Sequence, residues 1–173
     1  DATGDVRAFL LVEGRLYAGT SAGVFQSDDA GQTWTAFNEG LTNVDVRDLA
    51  LASFGTIYAA TAAGTFVYPV GAARWTEDTD GLSEARDLEV FALSASPTRK
   101  VYAGTRGGLF VTDADSLQWT ALLRDPDGPT RPSTIIGIVE LDEASIYAAT
   151  TESVFITQNE GETWTRINDG LPE

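Results

Sequence analysis

Four tryptophans recur along the chain at nearly equal intervals of 41, 44 and 45 residues. A tyrosine lies 17 residues before each tryptophan, and a phenylalanine lies nine residues before each. The three series are Trp34, Trp75, Trp119, Trp164; Tyr17, Tyr58, Tyr102, Tyr147; and Phe25, Phe66, Phe110, Phe155. Constant offsets in four copies indicate an internal repeat, and a period of about 40–45 residues is the length of one four-stranded propeller blade.

Each copy is predicted to form four short strands, because apolar and β-branched runs alternate with glycine turns and no helix-period segment is present. The sequence therefore predicts an all-β fold, a single β-propeller domain of four four-stranded blades. The approximate blade boundaries are 5–41, 42–82, 83–129 and 130–173. Four blades is the lower limit for propellers, so a closed four-blade ring and half of a larger ring both remain open.

The first strand of each copy is apolar on both faces, which is typical of a strand between two neighbouring sheets. The predicted first strands are Val6–Val12, Val46–Ala52, Leu88–Ser94 and Thr134–Val139. One equivalent position is assigned to Phe9, Leu49, Phe91 and Ile136, and the next to Leu10, Ala50, Ala92 and Gly137. Small residues at the second position in three of the four copies suit the crowded centre of a ring.

The composition excludes several kinds of chemistry. The chain has no histidine, no cysteine and no methionine. Ser-His-Asp and Cys-His relays, imidazole or thiolate metal sites and disulfides are therefore excluded. Carboxylates, tyrosines and arginines remain for catalysis, and we expect neither a cofactor nor a bound metal.

Eleven basic and 26 acidic residues give a net charge of −15. Such a surface repels phosphate backbones and anionic lipids, so nucleic acids and membranes are not expected partners. The uncharged stretch Leu49–Ala73 is long enough for a membrane helix, but its glycines, its proline and its repeat register predict strands. The chain begins with Asp1 rather than methionine, which favours a removed secretory signal and an extracellular or periplasmic location.

The turn between the third and fourth predicted strands of the first copy has the pattern Ser-x-Asp-x-Gly-x-Thr-Trp. An aspartate in a turn accepts hydrogen bonds from nearby amides, hydroxyls add local bonds, and glycine permits a positive φ. The fourth copy keeps the pattern with Thr for Ser and Asn for Asp. The residues concerned are Ser27, Asp29, Gly31, Thr33 and Trp34, and Thr157, Asn159, Gly161, Thr163 and Trp164.

This pattern resembles the Asp-box, or BNR repeat, of propellers such as sialidases, sortilin and the photosystem II assembly factor. The resemblance implies a propeller fold, and it implies that the box is a structural turn at the rim, away from catalytic sites. The other two copies depart from it at the Ser, Asp and Gly positions. These positions hold Tyr68, Val70 and Ala72 in the second copy and Thr112, Ala114 and Ser116 in the third.

Two segments, Asp78-x-Asp80-Gly81 and Asp125-x-Asp127-Gly128, invite a calcium interpretation. Neither completes an acidic loop that ends in a bidentate glutamate. An acid followed by glycine recurs after every tryptophan. Turns therefore explain these segments better than a metal site does.

The connection between the third and fourth copies is longer than its counterparts and rich in proline. In a propeller such a connection is expected on the face where ligands bind, since loops carry function. The candidate binding residues in this connection, the preceding one and a nearby turn are Arg86, Arg106, Arg124, Asp125, Asp127 and Arg131. An arginine cluster on an acidic protein could bind a carboxylate, a sugar acid or an acidic partner loop. Scattered solvated arginines on an ordinary loop insertion are the alternative.

A sialidase-like site would need arginines converging on the sugar carboxylate and a Tyr–Glu pair from separate blades. Four tyrosines belong to the repeat and are expected in the core, which leaves only Tyr68. We therefore expect no catalytic residues, with a carboxylate-based glycosidase as the residual alternative.

The leading hypothesis is a binding or assembly scaffold whose loop face engages a protein partner. A carbohydrate-binding or vestigial glycoside-hydrolase-type module is the first alternative, and a structural subunit of a surface assembly is the second. A homo-oligomer that completes a larger ring is compatible with each of them.

Overall fold

The computed structural model describes residues 4–113, 116, 118–124 and 133–171. Within these ranges it contains sixteen strands and one short 3-10 helix, Ser53–Gly55. The strands are β1 (Val6–Val12), β2 (Arg15–Thr20), β3 (Gly23–Ser27), β4 (Thr35–Ala36), β5 (Val46–Leu51), β6 (Ile57–Thr61), β7 (Gly64–Tyr68), β8 (Thr76–Glu77), β9 (Val90–Ala95), β10 (Lys100–Thr105), β11 (Gly108–Asp113), β12 (Thr120–Arg124), β13 (Ile135–Glu140), β14 (Ile146–Thr150), β15 (Val154–Thr157) and β16 (Thr165–Arg166).

The strands form four antiparallel sheets, each with its four strands in sequence order. Blade 1 contains β1–β4, blade 2 contains β5–β8, blade 3 contains β9–β12 and blade 4 contains β13–β16. This confirms the predicted all-β propeller of four four-stranded blades. The uncharged stretch Leu49–Ala73 contains the end of β5 and all of β6 and β7. In the described ranges we find no helix with the length and apolarity needed to cross a bilayer.

The pairing register of the first and second strands corrects part of the sequence alignment. The equivalent first-strand residues, each opposite the alanine after the repeat tyrosine, are Phe9, Leu49, Leu93 and Ile138. The next position, opposite the tyrosine itself, belongs to Leu10, Ala50, Ser94 and Val139. The residues predicted for blades 3 and 4 lie two positions earlier: Phe91 and Ile136, and Ala92 and Gly137. The turn that follows the first strand differs in length between blades, so matching apolar residues alone misplaced the register.

Neighbouring blades pack face to face through hydrophobic cores that join blade 1 to 2, blade 2 to 3 and blade 3 to 4. The first strands are innermost, since β5 contacts both β1 and β9, and β9 also contacts β13. In each core the second strand of one blade also packs on the first strand of the next. We call the side of a blade that meets the next blade in the chain its forward face, and the opposite side its backward face.

The repeat tryptophans hydrogen-bond each blade to the one before it. Three indole N–H groups donate to main-chain carbonyls of the preceding blade: Trp75 to Phe37 (2.8 Å), Trp119 to Asp78 (3.0 Å) and Trp164 to Leu122 (3.2 Å). Each acceptor lies three residues after the tryptophan of its own blade. The repeat tryptophan therefore determines the spacing between neighbouring blades.

The acid–Gly turn of a blade packs against the tryptophan of the next blade. Gly40 and Gly81 have positive φ values of 85° and 94°. A Cβ on Gly40 would overlap with the carbonyl oxygen of Trp75, and one on Gly81 with that of Trp119. Glycine is therefore required by its backbone conformation and by the close approach of the next blade.

Each end blade keeps one apolar face that no blade covers. Among the described residues no core joins blade 4 to blade 1, and β13 does not pack along β1 as the other first strands do. Phe9 is 63% exposed whereas the equivalent Leu49 is 6% exposed, and Val139 is 61% exposed. The predicted position of a first strand between two neighbouring sheets is found for β5 and β9, whereas β1 and β13 have such a neighbour on one side only. An end blade has a neighbour within this chain on one side only, and the four blades form an open arc.

Candidate binding face at the blade 2 to blade 3 connection

The connection between β8 and β9, residues 78–89, is organised around a buried carboxylate. Asp87 is fully buried. Its backbone N–H donates to the Glu84 carbonyl over 2.9 Å, and the Glu84 N–H donates to Asp87 Oδ2 over 3.2 Å. A Cβ on Gly107 would overlap with Asp87 Oδ1, so the β10–β11 turn reaches this carboxylate only because glycine stands there.

Arg124, the last residue of β12, closes over the same carboxylate. Its Nη1 and Nη2 atoms donate to Asp87 Oδ2 over 3.2 and 3.3 Å. Its Nη1 also lies 3.6 Å from Glu84 Oε1, and the guanidinium carbon is 4.9 Å from the centre of the Phe110 ring. Arg124 therefore links β12 to the 78–89 connection through charge-assisted hydrogen bonds.

Arg86 and Arg106 lie at the same connection and also have carboxylate partners. Arg86 Nε donates to Glu84 Oε2 over 2.9 Å, and Arg106 Nη1 donates to Glu89 Oε1 over 3.3 Å. Their side chains are 32% and 53% exposed. The structure thus brings three of the predicted arginines together and matches them with three acids. We call this set the charge cluster: Glu84, Arg86, Asp87, Glu89, Arg106 and Arg124.

The other three predicted binding residues, Asp125, Asp127 and Arg131, lie outside the described residues. The binding role of the set therefore stays a prediction. Sequence reasoning missed the three carboxylates of the charge cluster. The sequence feature that could have identified them is the alternation of acidic residues with Arg86 within one short connection. Such alternation is typical of charges that pair locally.

A second charge network, also missed from the sequence, occupies the connection between blades 1 and 2. Asp45 accepts hydrogen bonds from Arg7 over 2.5 Å and from Arg47 over 3.4 Å. The Arg47 guanidinium lies over the Phe91 ring, 4.1 Å from its centre, in a cation–π contact. Phe91 thus contacts an arginine of blade 2 from a position other than the one predicted for it.

The 27–34 turn is held by side-chain hydrogen bonds. Ser27 Oγ donates to Asp29 Oδ1 over 2.7 Å and accepts from the Gly31 N–H over 2.8 Å. Thr33 donates to Asp29 through both its backbone N–H (2.8 Å) and its hydroxyl (2.6 Å). The Thr33 donors, and Ser27 after them, lower the pKa of Asp29 to about 2. The carboxylate is therefore charged at neutral pH and engaged within its own turn.

The 157–164 turn repeats this geometry without the charge. Thr157 Oγ1 donates to Asn159 Oδ1 and accepts from the Gly161 N–H, both over 2.9 Å. The same amide oxygen accepts from the Thr163 N–H over 3.0 Å. An asparagine can replace the aspartate here because the turn needs an acceptor more than it needs a charge.

The corresponding turns of blades 2 and 3 use other bonds. In blade 2 the Tyr68 hydroxyl donates to the Ala72 carbonyl. In blade 3 the Ser116 N–H donates to the Asp113 carbonyl over 2.9 Å; Ala114 lies outside the described residues. In the described residues of these two turns the hairpin is therefore closed by bonds that differ from the side-chain hydrogen bonds of blades 1 and 4.

Tyr68, the tyrosine that the repeat leaves unassigned, packs in the interface between blades 1 and 2. Its ring centre is 4.6 Å from that of Phe37 and 5.4 Å from that of Trp75. The expectation that Tyr68 stands apart from the core is wrong. An aromatic ring fills the space between two blades even without a repeat position.

Asp78, the first acid of the predicted calcium candidate, is buried between blades 2 and 3, whereas Asp80 is exposed. Burial raises the pKa of Asp78 to about 7; the charge of Asp80 adds to this shift and the nearby Trp119 indole opposes it. In the part of the chain that the structure describes, no three potential ligand residues come together for a metal ion. The second candidate, Asp125-x-Asp127-Gly128, lies outside that part.

We expect Arg124→Ala to lower the free energy of unfolding by about 2 kcal/mol, because it leaves Asp87 buried and unpaired while Arg124 itself is partly solvated. Urea denaturation at neutral pH measures the effect. Arg106→Ala is the matched control, with an expected change below about 0.5 kcal/mol for an exposed pair. Adding Asp87→Asn to Arg124→Ala should recover part of the loss. Equal effects of the two single variants would contradict the structural role of Arg124.

No protein-family model matches the chain, and no curated protein matches it. Solved structures do match. The extracellular domain of the putative one component system BT4673 from B. thetaiotaomicron has a TM-score of 0.83 and 20% identity over 96% of this chain. YCF48 bound to D1 peptide has a TM-score of 0.70 and 20% identity over 98% of the chain. An ancestral GH74 enzyme has a TM-score of 0.81 and 19% identity over 99% of it.

This chain spans 22%, 56% and 27% of the lengths of those three proteins, in the same order. At such low identity the likeness concerns the fold. The neighbours are β-propeller proteins, and this chain shares with them a β-propeller unit of four four-stranded blades.

Proposed function

We propose that the chain is a non-enzymatic binding or assembly scaffold whose loop face engages a protein partner. The observation that carries the proposal is the charge cluster, in which the Arg124–Asp87 pair fixes the connection and Arg86 and Arg106 stay partly exposed. A preorganised surface loses little conformational freedom on binding, which favours affinity. YCF48 bound to D1 peptide supports the choice of a protein partner, since that propeller binds a peptide.

The chemistry of the cluster favours a partner segment that carries a carboxylate. A guanidinium has five N–H donors, and Arg106 gives one of its side-chain donors to Glu89. A partner carboxylate can therefore bind Arg106 alongside Glu89. The net charge of −15 disfavours binding of an extended acidic surface, so the partner contact is a local one.

A peptide-display selection against the immobilised chain tests this proposal. Selected peptides should bind by fluorescence anisotropy, and the double variant Arg86→Ala/Arg106→Ala should weaken them at least about tenfold, as expected for arginine hot spots. Arg15→Ala is the matched control, because Arg15 is also exposed and paired, with Asp28 on blade 1. Peptides that bind the double variant and the control equally, or a selection that enriches none, would contradict the loop-face proposal.

The second candidate is a carbohydrate-binding or vestigial glycoside-hydrolase-type module. The likeness to an ancestral GH74 enzyme is the observation that favours it. Glycan-array binding that disappears in Arg86→Ala/Arg106→Ala would establish this candidate in place of the first. Turnover of an aryl glycoside would instead identify a carboxylate-based glycosidase. If neither peptide nor glycan binds, a structural subunit of a surface assembly becomes the better interpretation.

We also propose that the 27–34 and 157–164 turns are Asp-box repeats with a structural role. This is supported by the side-chain oxygens of Asp29 and Asn159, which accept hydrogen bonds from residues of their own turns. An extracellular or periplasmic location is proposed as well; the extracellular placement of the BT4673 domain supports it. We also propose that a second copy of the chain completes a larger ring.

A further inference from the structure

The forward face of blade 4 carries the residues of a blade interface but has no blade against it. Tyr147 is only partly buried, whereas its counterparts Tyr58 and Tyr102 are fully buried in their interfaces. Val139, beside it, is 61% exposed. These side chains and Val154 line an open apolar groove of about 480 Å³. An apolar surface of this kind marks an interaction site.

The backward face of blade 1 is also uncovered, and it corresponds to the other half of a blade interface. Phe9 is 63% exposed, while Leu49 at the equivalent place in blade 2 is 6% exposed. Phe25 is partly buried, while its counterpart Phe66 is 1% exposed. Phe9 and Trp34 lie side by side on this face, with ring centres 6.2 Å apart.

One residue at each end also lacks the neighbour that its counterparts have in the internal interfaces. The indole N–H of Trp34 has no hydrogen-bond acceptor among the described residues, whereas those of the other three tryptophans do. Gly170 has a φ of +89° like Gly40 and Gly81, but nothing lies within 4 Å of a Cβ built on it. Each end is therefore one half of the interface that the chain builds between its own blades.

We propose that a second copy of the chain covers these ends: blade 1 of each copy packs on blade 4 of the other, and two copies close a ring of eight blades. The contacts of the new interface are inferred from the residues that stand at the same repeat positions in the internal interfaces. The Trp34 indole donates to the carbonyl of Ile167 of the partner subunit, which lies three residues after its Trp164. Gly170 packs against the carbonyl of the partner subunit's Trp34, as Gly81 packs against Trp119.

The number of copies follows from the usual size of propellers. The four blades do not close on themselves, and propellers rarely exceed about eight blades, so eight is the multiple of four that closes. The junction is heterologous, because different faces meet, and such a junction gives a closed assembly only if the rotation completes a circle. The proposal extends the second-copy statement above and does not depend on the loop face, which lies at a blade connection rather than at an end.

The charge of the chain makes the junction sensitive to salt. Two chains of −15 each repel one another, while burial of apolar side chains drives association. Salt screens the repulsion. We therefore expect the two-chain species to be favoured by raising the ionic strength, the opposite of what an ion-paired interface would show.

Light scattering coupled to size exclusion tests the proposal on the 173-residue chain. The expected mass is twice 18.4 kDa. Phe9→Asp on blade 1 and Val139→Asp on blade 4 should each give the one-chain mass with an unchanged circular dichroism spectrum, since both side chains are exposed in one chain. Val70→Asp is the matched control, because Val70 is 70% exposed away from the end faces, and it should keep the two-chain mass.

Mixing the two disrupted variants tests the pairing of unlike ends. A Phe9→Asp chain keeps an intact blade 4 face, and a Val139→Asp chain keeps an intact blade 1 face. Their mixture should therefore form one junction and yield a two-chain species by native mass spectrometry, which neither variant forms alone. A one-chain mass for the unaltered protein, or a Val139→Asp chain that still pairs through blade 1 alone, would overturn the proposal. Peptide binding by Phe9→Asp measures the loop face independently, so either proposal can fail without the other.

Discussion

Replacing Trp119 with alanine is expected to lower the free energy of unfolding by about 4 kcal/mol, in the range measured for buried tryptophans. Trp119 is 3% exposed in the core between blades 2 and 3. Its indole N–H donates to the Asp78 carbonyl over 3.0 Å, and its ring meets that of Tyr58 edge-on at 6.4 Å. The substitution therefore leaves a cavity, an unpaired carbonyl and a tyrosine without its ring contact.

The matched comparison is Trp34→Ala, which changes the same repeat position at the free end of the arc. Trp34 is only partly buried and has no preceding blade within the chain. Its loss should cost about 1 kcal/mol when both variants are measured in the Val139→Asp background, which holds the protein as single chains and leaves the residues around Trp34 unchanged. Urea denaturation gives both values. Similar losses for Trp34 and Trp119 would show that the tryptophans stabilise their own blades rather than the interfaces between them.

Asp78→Asn is expected to stabilise the protein at neutral and alkaline pH. Asp78 occupies the position three residues after the tryptophan, where blade 1 has Phe37 and blade 3 has Leu122. Within the described residues its Oδ2 atom is buried without a hydrogen-bond partner. Burial raises the pKa of this carboxyl from 3.8 to about 7, because the charged form is poorly solvated there.

The sign of the pH dependence follows from linkage. Well below pH 3.8 the carboxyl is protonated in both the folded and the unfolded chain, and it has no effect. As the pH rises towards 7 the unfolded chain releases its proton while the folded chain retains it, so the free energy of unfolding falls. The loss is complete above pH 7 and amounts to at most about 4 kcal/mol at 1.36 kcal/mol per pKa unit.

Urea denaturation of both proteins at pH 5 and pH 8 measures this contribution. The advantage of Asp78→Asn over the unaltered chain should be larger at pH 8 than at pH 5. Asp80→Asn serves as the control, because Asp80 is exposed; its direct effect should be small. An Asp78→Asn variant that is less stable than the unaltered chain at pH 8 would mean that the carboxylate is needed in the folded protein.

The aromatic repeat carries most of the information about the fold. In each of the three internal interfaces the tyrosine of one blade and the tryptophan of the next share a core, and in the first two the phenylalanine of the next blade joins them. Large rings leave few alternatives in a packed core, so their offsets stay constant while the surrounding loops change length. The blades were therefore predictable, and so were the turns that Ser27 and Thr157 open.

The register of the inner strands was not predictable in the same way. Small aliphatic residues fit several positions of a strand, and a hairpin of variable length precedes the next fixed aromatic. Leu93 and Ile138 could be identified only from the strand pairing. The partners of Arg124 were hidden for a related reason, because Asp87 comes from a connection 37 residues away.

Half of a larger ring, with uncovered end blades, was one of two arrangements that the sequence left open, and the residues alone could not decide between them. Phe9 and Leu49 are both apolar and stand at equivalent places, yet one is exposed and the other is buried. The difference depends on whether another blade precedes the strand within the chain, and the identity of the two residues does not indicate this. What the sequence does record is that an end blade is built like an internal one, and this similarity underlies the proposed pairing of two copies.

The exchange of the indole N–H protons with water, followed by NMR on the Val139→Asp chain with labelled tryptophan, tests the central claim most directly. The claim is that each blade is hydrogen-bonded through its tryptophan to the blade before it, in an arc that stays open. The indoles of Trp75 and Trp119 should be strongly protected, since they donate to carbonyls in buried interfaces, and that of Trp34 should exchange as fast as an exposed indole. Protection of Trp34 equal to that of Trp119 in this single-chain variant would mean that four blades close on themselves and would contradict the account.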